Sequence, residues 1–246
     1  MKPQMRKYGV SALSTGLGAV GFIGPWYALD TAFRAGFDGI QYLPLRGWSK
    51  VDPASIGDFV LSYEDPWNKG SLLQAVGRTL GLLRDPAPTF LDWVLFGRKY
   101  APEFPHAIKS VHRVEEGGAL EIHPEFWDDP QQYVCFCRNG GHVCWDTLHV
   151  RRPHRETGLN PWVWEDLLMA LPEGAISLIH VHPTREEIST FLRGEKLGLT
   201  EMLLLLREKA PNVPAILEAF PPLMLRKKPL VAWLSRLRLQ TLNYLG

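Results

Sequence analysis

Four stretches in the second half of the chain decide the fold: ALEIHPE (119–125), HVCWDTLH (142–149), ISLIHVHP (176–183) and VPAILEAFPP (213–222). In each stretch a short apolar run stops at an acidic residue or a histidine, namely Glu121, Asp146, His182 and Glu218. Side chains alternate along a β-strand, and a parallel barrel collects its functional residues at the C-terminal ends of its strands. Four such residues on four consecutive strands are therefore expected to converge on one divalent metal ion.

Strand-like and helix-like segments alternate in both directions from these four stretches. Further strands are predicted in YGVSALST (8–15), DGIQYLPLRG (38–47) and GDFVLSYEDPW (57–67), while AIKSVHRV (107–114) fits strand four or a helix. Helices are predicted at 26–37, 71–83, 89–100, 129–139, 161–171, 199–210 and 223–245. Repeated β-then-α units imply a parallel sheet, and eight of them imply closure. The sequence thus predicts an α/β protein with a single (β/α)8 TIM-barrel domain over residues 1–246, near the typical length of about 250 residues.

Composition narrows the class of protein. A hydrophobic content of 46% and a charged content of 22% are typical of soluble globular chains, and the net charge of +1 offers no field for nucleic acid or anionic lipid. No run reaches the ~20 apolar residues of a membrane span, and the glycine-rich stretch after Tyr8 fits a barrel strand and loop better than a secretory signal. Three cysteines form no even-numbered framework, so reduced thiols and a cytoplasmic location are expected.

Five segments resemble the xylose isomerase-like TIM-barrel superfamily, which includes sugar isomerases and epimerases and endonuclease IV-type enzymes. They are AFRAGFDGIQYLPLRG (32–47), VCWDTLH (143–149), IHVHP (179–183), RGEKLG (193–198) and ILEAF (216–220). The similarity is strongest from Gly118 to Pro222 and vague between Asp85 and Gly117. The ordered set of strand ends carries it more than any single motif.

The resemblance implies a single metal site. Glu121 and Glu218 match two glutamates that bracket the metal and shuttle the substrate's proton, while Asp146 and His182 match an aspartate and an imidazole ligand. His149 matches a histidine that contacts substrate or a further metal. Three carboxylates and one neutral imidazole suit manganese, magnesium, cobalt or zinc in an open site.

The residues also support a polar centre without the resemblance. Glu121 and His123 are two apart on one predicted strand, as are His180 and His182, so each pair faces the same side. Burying an unpaired carboxylate in a barrel is costly, so an inward charge needs a metal, a partner or water. For each residue a structural role stays open: the acidic residues could cap helices or pair with arginine, and His180 could be a core histidine.

Departures from the family pattern and residues around the expected mouth complete the prediction. Pro183, Thr184 and Arg185 replace a polar pair that often follows the strand-seven histidine, and no Asp-x-His supplies ligands for a three-zinc site. Glu64 stands where relatives commonly present a histidine. We assign His149, His180, Arg185, Glu64 and Trp67 to substrate binding, because aromatic rings stack on sugars and guanidinium groups hold anions.

The expected function is a metal-dependent sugar or polyol isomerase or epimerase that moves a proton through an enediolate, with Glu121 and Glu218 as acid and base. The alternatives are a metal-dependent phosphoester hydrolase or lyase, and a barrel that has lost its metal site and serves as a scaffold. The sequence leaves open the substrate, the metal and its number, the stereochemistry and whether the chain forms a homo-oligomer.

Overall fold

A computed structural model describes residues 6–16, 24–43, 48, 52–64, 104–111, 114, 117–124, 126–127, 129–152, 163–195, 198–221 and 226–246. The predicted helices at 71–83 and 89–100 and the side chain of Trp67 lie outside the described residues. Every prediction from Gly118 onward falls mainly within them.

Eight parallel strands form a closed barrel in sequence order, which confirms the predicted fold class. The strands are β1 (Tyr8–Ser11), β2 (Gly39–Tyr42), β3 (Val60–Glu64), β4 (Ile108–Val111), β5 (Ala119–Glu121), β6 (His142–Asp146), β7 (Ile176–Val181) and β8 (Ala215–Leu217). Closure is direct, since Gly9 on β1 pairs with Gly39 on β2 and with Ile216 on β8. The segment AIKSVHRV, ambiguous in sequence, supplies β4.

The described α-helices pack around the outside of the barrel. They are α1 (Gly24–Arg34), α2 (Pro130–Arg138), α3 (Trp164–Ala170), α4 (Arg185–Leu192), α5 (Gly198–Lys209) and α6 (Lys227–Leu245). Local signals set their ends: Asp129 caps α2 by accepting from the Gln131 N–H, and Gly36 follows α1 with a positive φ of 89°. None of the described helices is both long enough and apolar enough to cross a bilayer.

Among the described connections from β4 onward, two depart from a regular β-then-α alternation. β4 ends at Val111 and β5 begins at Ala119, so the intervening residues 112–118 are fewer than the dozen that a helical crossover usually needs. After β7 the chain makes two helices, and the first of them, α4, was not predicted. The Glu121-to-Asp146 spacing does leave only a minimal helix, α2, as the sequence indicated.

Apolar packing fills the barrel below its polar mouth. Leu61, Ala119, Cys144, Leu178 and Ile216, each from a different strand, form a small cluster of buried side chains. Gly39 permits the close approach of β2 to β3, because a Cβ there would lie 2.2 Å from the carbonyl oxygen of Phe59. The larger core packs the helices onto the outside of the strands. This core holds the strand ends in place, so that their polar side chains share one centre.

Candidate metal centre

Five strand ends bring their polar side chains to one buried centre. Glu121 is the last residue of β5, Asp146 is the last of β6, and His180 lies in β7 opposite Asp146. Glu218 follows β8, and its backbone N–H donates to the carbonyl of Val181 on β7 (2.9 Å). On β2, the Gln41 side-chain amide lies 3.2 Å from Nε2 of His180. The pleat and the parallel register thus place residues from distant parts of the chain side by side.

Asp146 lies in the middle of this centre. One of its oxygens, Oδ1, accepts from the backbone N–H groups of Leu148 (2.7 Å) and His149 (2.8 Å), which fixes the carboxylate plane. The other oxygen, Oδ2, is buried and has no hydrogen-bond partner. A buried acceptor left without a partner costs about 1–3 kcal/mol, and more when it is charged, so this atom calls for a ligand.

Three imidazole nitrogens surround that oxygen without bonding to it. The Nδ1 atoms of His149, His182 and His180 lie 3.6, 3.7 and 3.9 Å from Oδ2 of Asp146. Donor atoms that share one ion at about 2.1 Å lie about 3.0–3.4 Å apart, only slightly closer than these atoms. For His180 and His182 the spacing therefore fits donors around a cation better than direct hydrogen bonds, whereas Nδ1 of His149 is hydrogen-bonded to Glu121.

The two glutamates come from the strands that flank β6 and β7, since Glu121 ends β5 and Glu218 follows β8. Nδ1 of His180 lies 3.5 Å from Oε1 of Glu218 and 4.0 Å from Oε2 of Glu121, so both carboxylates approach the same imidazole. Glu218 also places Oε2 3.6 Å from Nδ1 of His182. Glu121 is 3% exposed and Glu218 is 19% exposed, so one glutamate is buried and the other reaches toward the mouth.

Two overlapping groups of donors share Asp146. The donor atoms of Asp146, His182 and Glu218 lie within 4.8 Å of one another, and those of Glu121, Asp146 and His149 do the same. Hard carboxylate oxygens combined with neutral imidazole suit a borderline divalent ion, and histidine, aspartate and glutamate are all ordinary ligands of such ions. The residues present thus fit the metal that the sequence predicted.

The buried surroundings shift the pKa values of Asp146 and His149 in opposite directions. Burial alone would raise the pKa of Asp146, but the imidazoles of His149, His182 and His180 hold it well below its ordinary value. Burial likewise lowers the pKa of His149, yet the carboxylates of Asp146 and Glu121 raise it to about 9. His149 therefore carries a proton at neutral pH in the metal-free protein and donates from Nδ1 to Glu121 Oε1.

The structure gathers most, but not all, of the predicted site residues. Glu121, Asp146, His149, His180, His182 and Glu218 belong to the centre. Arg185 instead lies exposed in the first turn of α4, outside the described contacts of the cluster. The backbone of Glu64 ends β3 opposite Ser110, while its side chain and Trp67 lie outside the described residues. Trp48 is fully buried against Tyr42 and so belongs to the core.

Sequence reasoning missed three residues that bond to the centre or its backbone. Gln41 follows an apolar residue in β2 and carries no motif, and Ser14 and Thr147 are small hydroxyl residues of the kind found in any turn. The only sequence signal for Thr147 is its place directly after Asp146. For Ser14 no local signal exists, because its partners are 203 and 205 residues away.

Two solved structures of known proteins share this fold. A D-allulose 3-epimerase from Methylomonas sp. aligns at 15% identity with a TM-score of 0.54, covering 97% of this chain and 99% of that one. An L-ribulose 3-epimerase aligns at 16% identity with a TM-score of 0.54, covering 98% of this chain and 95% of that one. No protein-family model and no curated protein sequence matches the chain. These likenesses confirm the fold of the resemblance found in the sequence.

Proposed function

We propose that this chain is a divalent-metal-dependent isomerase or epimerase of sugars or polyols. The observation that carries the proposal is the pair of glutamates, Glu121 and Glu218, whose carboxylates both lie within 4.0 Å of Nδ1 of the buried His180 and each belong to a donor group with Asp146. Two carboxylates at one cation-binding centre are what a two-base proton transfer requires. The solved sugar epimerases with the same fold add support, since both names describe chemistry at a carbon next to a ketose carbonyl.

Asp146, His182, Glu121 and Glu218 would hold the ion, which when bound polarises a carbonyl and an adjacent hydroxyl and so acidifies the intervening C–H bond. One glutamate then takes the proton from that carbon, and the C–H electron pair moves to the carbonyl, leaving an enediolate. The other glutamate, protonated beforehand, delivers its proton to the opposite face. Each turnover therefore exchanges the protonation states of the two glutamates.

Neighbouring residues tune and orient these carboxylates. His149 donates to Oε1 of Glu121, which leaves Oε2 on the side of His180.

The ring of Phe220, 62% exposed, stands 6.1 Å from the ring of His182 at the mouth. Its apolar face suits the C–H side of a sugar ring or chain, while the charged centre takes the oxygens.

The experiment is metal analysis followed by proton exchange. Protein purified without chelator is analysed for bound metal, then incubated with manganese, cobalt, magnesium or zinc and a ketose panel in D2O. The panel includes D-allulose and L-ribulose, after the two solved neighbours. Deuterium appearing next to the carbonyl, and lost in Glu218→Gln, supports the proposal. No bound divalent ion and no exchange with any of these sugars would sink it.

One observation favours a second candidate, a hydrolase or lyase of phosphoesters. Asp146 belongs to both donor groups, so the centre has donors for two ions side by side. Two ions about 3.5–4 Å apart form a clamp for both oxygens of a phosphoryl displacement. Against it, Arg151 forms an ion pair with Glu187, so its charge is not free for a phosphate. A metal content near two ions per chain favours this candidate, and a content near one favours the isomerase.

A further inference from the structure

A buried threonine locks the backbone of His182 to the end of β6. The Thr147 hydroxyl accepts from the His182 N–H (2.8 Å) and donates to the His182 carbonyl (3.5 Å). Its own N–H donates to the His180 carbonyl (3.0 Å), and its carbonyl accepts from Nε of Arg151 (2.5 Å). Every polar group of this fully buried residue is therefore bonded, and two of those bonds go to the residue that presents an imidazole to Asp146.

A buried serine makes the same arrangement around Glu218. The Ser14 hydroxyl accepts from the Ala219 N–H (3.0 Å) and donates to the Leu217 carbonyl (3.4 Å), the two peptide groups on either side of Glu218. Ser14 lies in a 3-10 turn just after β1, Ala12–Thr15, and is 3% exposed. Glu218 is thus bonded through its own N–H to β7 and through its neighbours to the β1 turn.

A third hydroxyl repeats the pattern next to Glu121. The Tyr133 hydroxyl accepts from the His123 N–H and donates to the His123 carbonyl, both at 2.9 Å. In all three places a strand has just ended, so the backbone has lost its ladder partner while remaining buried or partly buried. A hydroxyl, which both donates and accepts, satisfies one N–H and one carbonyl at once. All three hydroxyls therefore bond to the backbone at the ends of β5, β7 and β8, the strands that carry residues of the centre.

We infer that Thr147 and Ser14 are positioning residues for metal binding, and that their hydroxyls fix where His182 and Glu218 present their donor atoms. This inference rests on the proposed metal site. Neither hydroxyl touches the ion's expected place, so each acts through the backbone it holds. Partners that orient metal ligands typically change metal affinity about 10–100-fold when they are removed.

The test compares three threonine variants of the full-length protein by titration with manganese. Thr147→Val keeps the shape but removes the hydroxyl, and Thr147→Ser keeps the hydroxyl. Thr241→Val is the matched control, since Thr241 is also buried and its hydroxyl donates to the Leu237 carbonyl within α6 (3.0 Å), away from the barrel mouth. We expect Thr147→Val to raise the manganese Kd at least tenfold, Thr147→Ser to stay within about threefold of wild type, and Thr241→Val to leave it unchanged.

A second measurement needs no metal. Amide hydrogen exchange followed by NMR should show the His182 N–H exchanging faster in Thr147→Val than in wild type, while Thr241→Val leaves it protected. If Thr147→Val does not fold, Ser14→Ala takes its place, with the Kd and the Ala219 N–H as its readouts. A Kd raised tenfold by Ser14→Ala would support the inference as well.

Three other results would each overturn the inference. An unchanged Kd in both Thr147→Val and Ser14→Ala, with wild type binding manganese, removes the positioning role and leaves the proposed function standing. Equal losses in Thr147→Val and Thr241→Val would reduce the role to general stability. If wild type itself binds none of manganese, cobalt, magnesium or zinc, the proposed function fails and this inference with it.

Discussion

Asp146 has two separate roles, one for each of its carboxylate oxygens. Oδ1 serves the fold by accepting two backbone N–H groups, and Oδ2 stands buried among three imidazoles without a hydrogen bond. A substitution that keeps Oδ1 while removing the charge therefore separates folding from ligand binding. Glu218, which is more exposed than Asp146, offers the complementary separation of metal binding from proton transfer.

Asp146→Asn should weaken manganese binding by about a hundredfold or more, because an amide retains the turn bonds but loses the anionic donor. Glu218→Gln should instead depress kcat more than metal affinity, since an amide oxygen can still coordinate but cannot carry the proton. Manganese titrations alongside steady-state kinetics on the active ketose distinguish the two. Equal losses of affinity and turnover in both variants would contradict the assigned roles.

His149 gives the metal-free protein a distinct pH dependence. Its folded pKa of about 9 lies above the ordinary value of 6.5, so its contribution to stability is complete below about pH 6.5 and disappears as the pH rises through about 9. The loss is on the order of 3 kcal/mol. Thermal unfolding of chelator-treated protein between pH 6 and 10 should show this decline in wild type. In His149→Asn it should be largely absent, and an equally steep decline there would assign the effect to another group.

At the scale of elements, helix α4 shows what sequence patterns reveal and what was overlooked. Its N-terminus is a capping box: the Thr184 hydroxyl accepts from the Glu187 N–H, and the Glu187 carboxylate accepts from the Thr184 N–H. The Thr-x-x-Glu signature is visible in the sequence. It was missed because residues 184–192 lack the long apolar stripe that made the neighbouring α5 obvious. Thr184 and Arg185, interpreted as a departure from a family motif, begin this helix.

Strand ends were predicted well for a different physical reason. β5 to β8 are mostly buried on both faces, so each one is a short, mainly apolar run, and a charged or imidazole side chain stands at its end or just after it. That signal found Glu121, Asp146, His182 and Glu218. Gln41 and Ser14 escaped it because their roles depend on contacts 139 residues or more away along the chain, which no local pattern encodes.

Glu187 joins α4 to the turn after β6 and should make this junction sensitive to acid. Burial would raise its pKa, but the bonds from Arg151 and Thr184 lower it overall. A depressed folded pKa means that the stability is present above the unfolded value of about 4.3 and is lost as the pH falls through the folded value. Glu187→Gln should lower Tm at pH 7 and flatten the decline of Tm between pH 5 and 3.

The matched control for that prediction is Glu186→Gln, since Glu186 lies in the same helical turn but is exposed. It changes the same charge near the same helix N-terminus without touching Arg151. A decline equally flattened in Glu186→Gln would mean that the helix dipole, and not the Arg151–Glu187 pair, sets the acid response.

At the scale of the whole molecule, the centre joins the ends of four consecutive, paired strands at the mouth of the barrel. Glu121, Asp146, His180 and Glu218 come from β5, β6, β7 and the end of β8, and three carboxylates at such short range repel one another in the metal-free protein. A cation bound among them removes that repulsion and couples the four strands. Metal binding should therefore stabilise the entire barrel and not only the loops around the mouth.

Manganese at 100 times its Kd should stabilise the folded chain by about 2.7 kcal/mol, which for this length corresponds to a rise in Tm of about 5–10 °C that chelator reverses. Asp146→Asn and His182→Ala should each abolish most of that rise. The double variant should lose little more than either single one, because an empty site has nothing left to lose. Differential scanning calorimetry of the four proteins with and without manganese measures this directly. If the two substitutions lower Tm additively and the rise with manganese survives in each, the residues serve the fold separately and the shared centre must be abandoned.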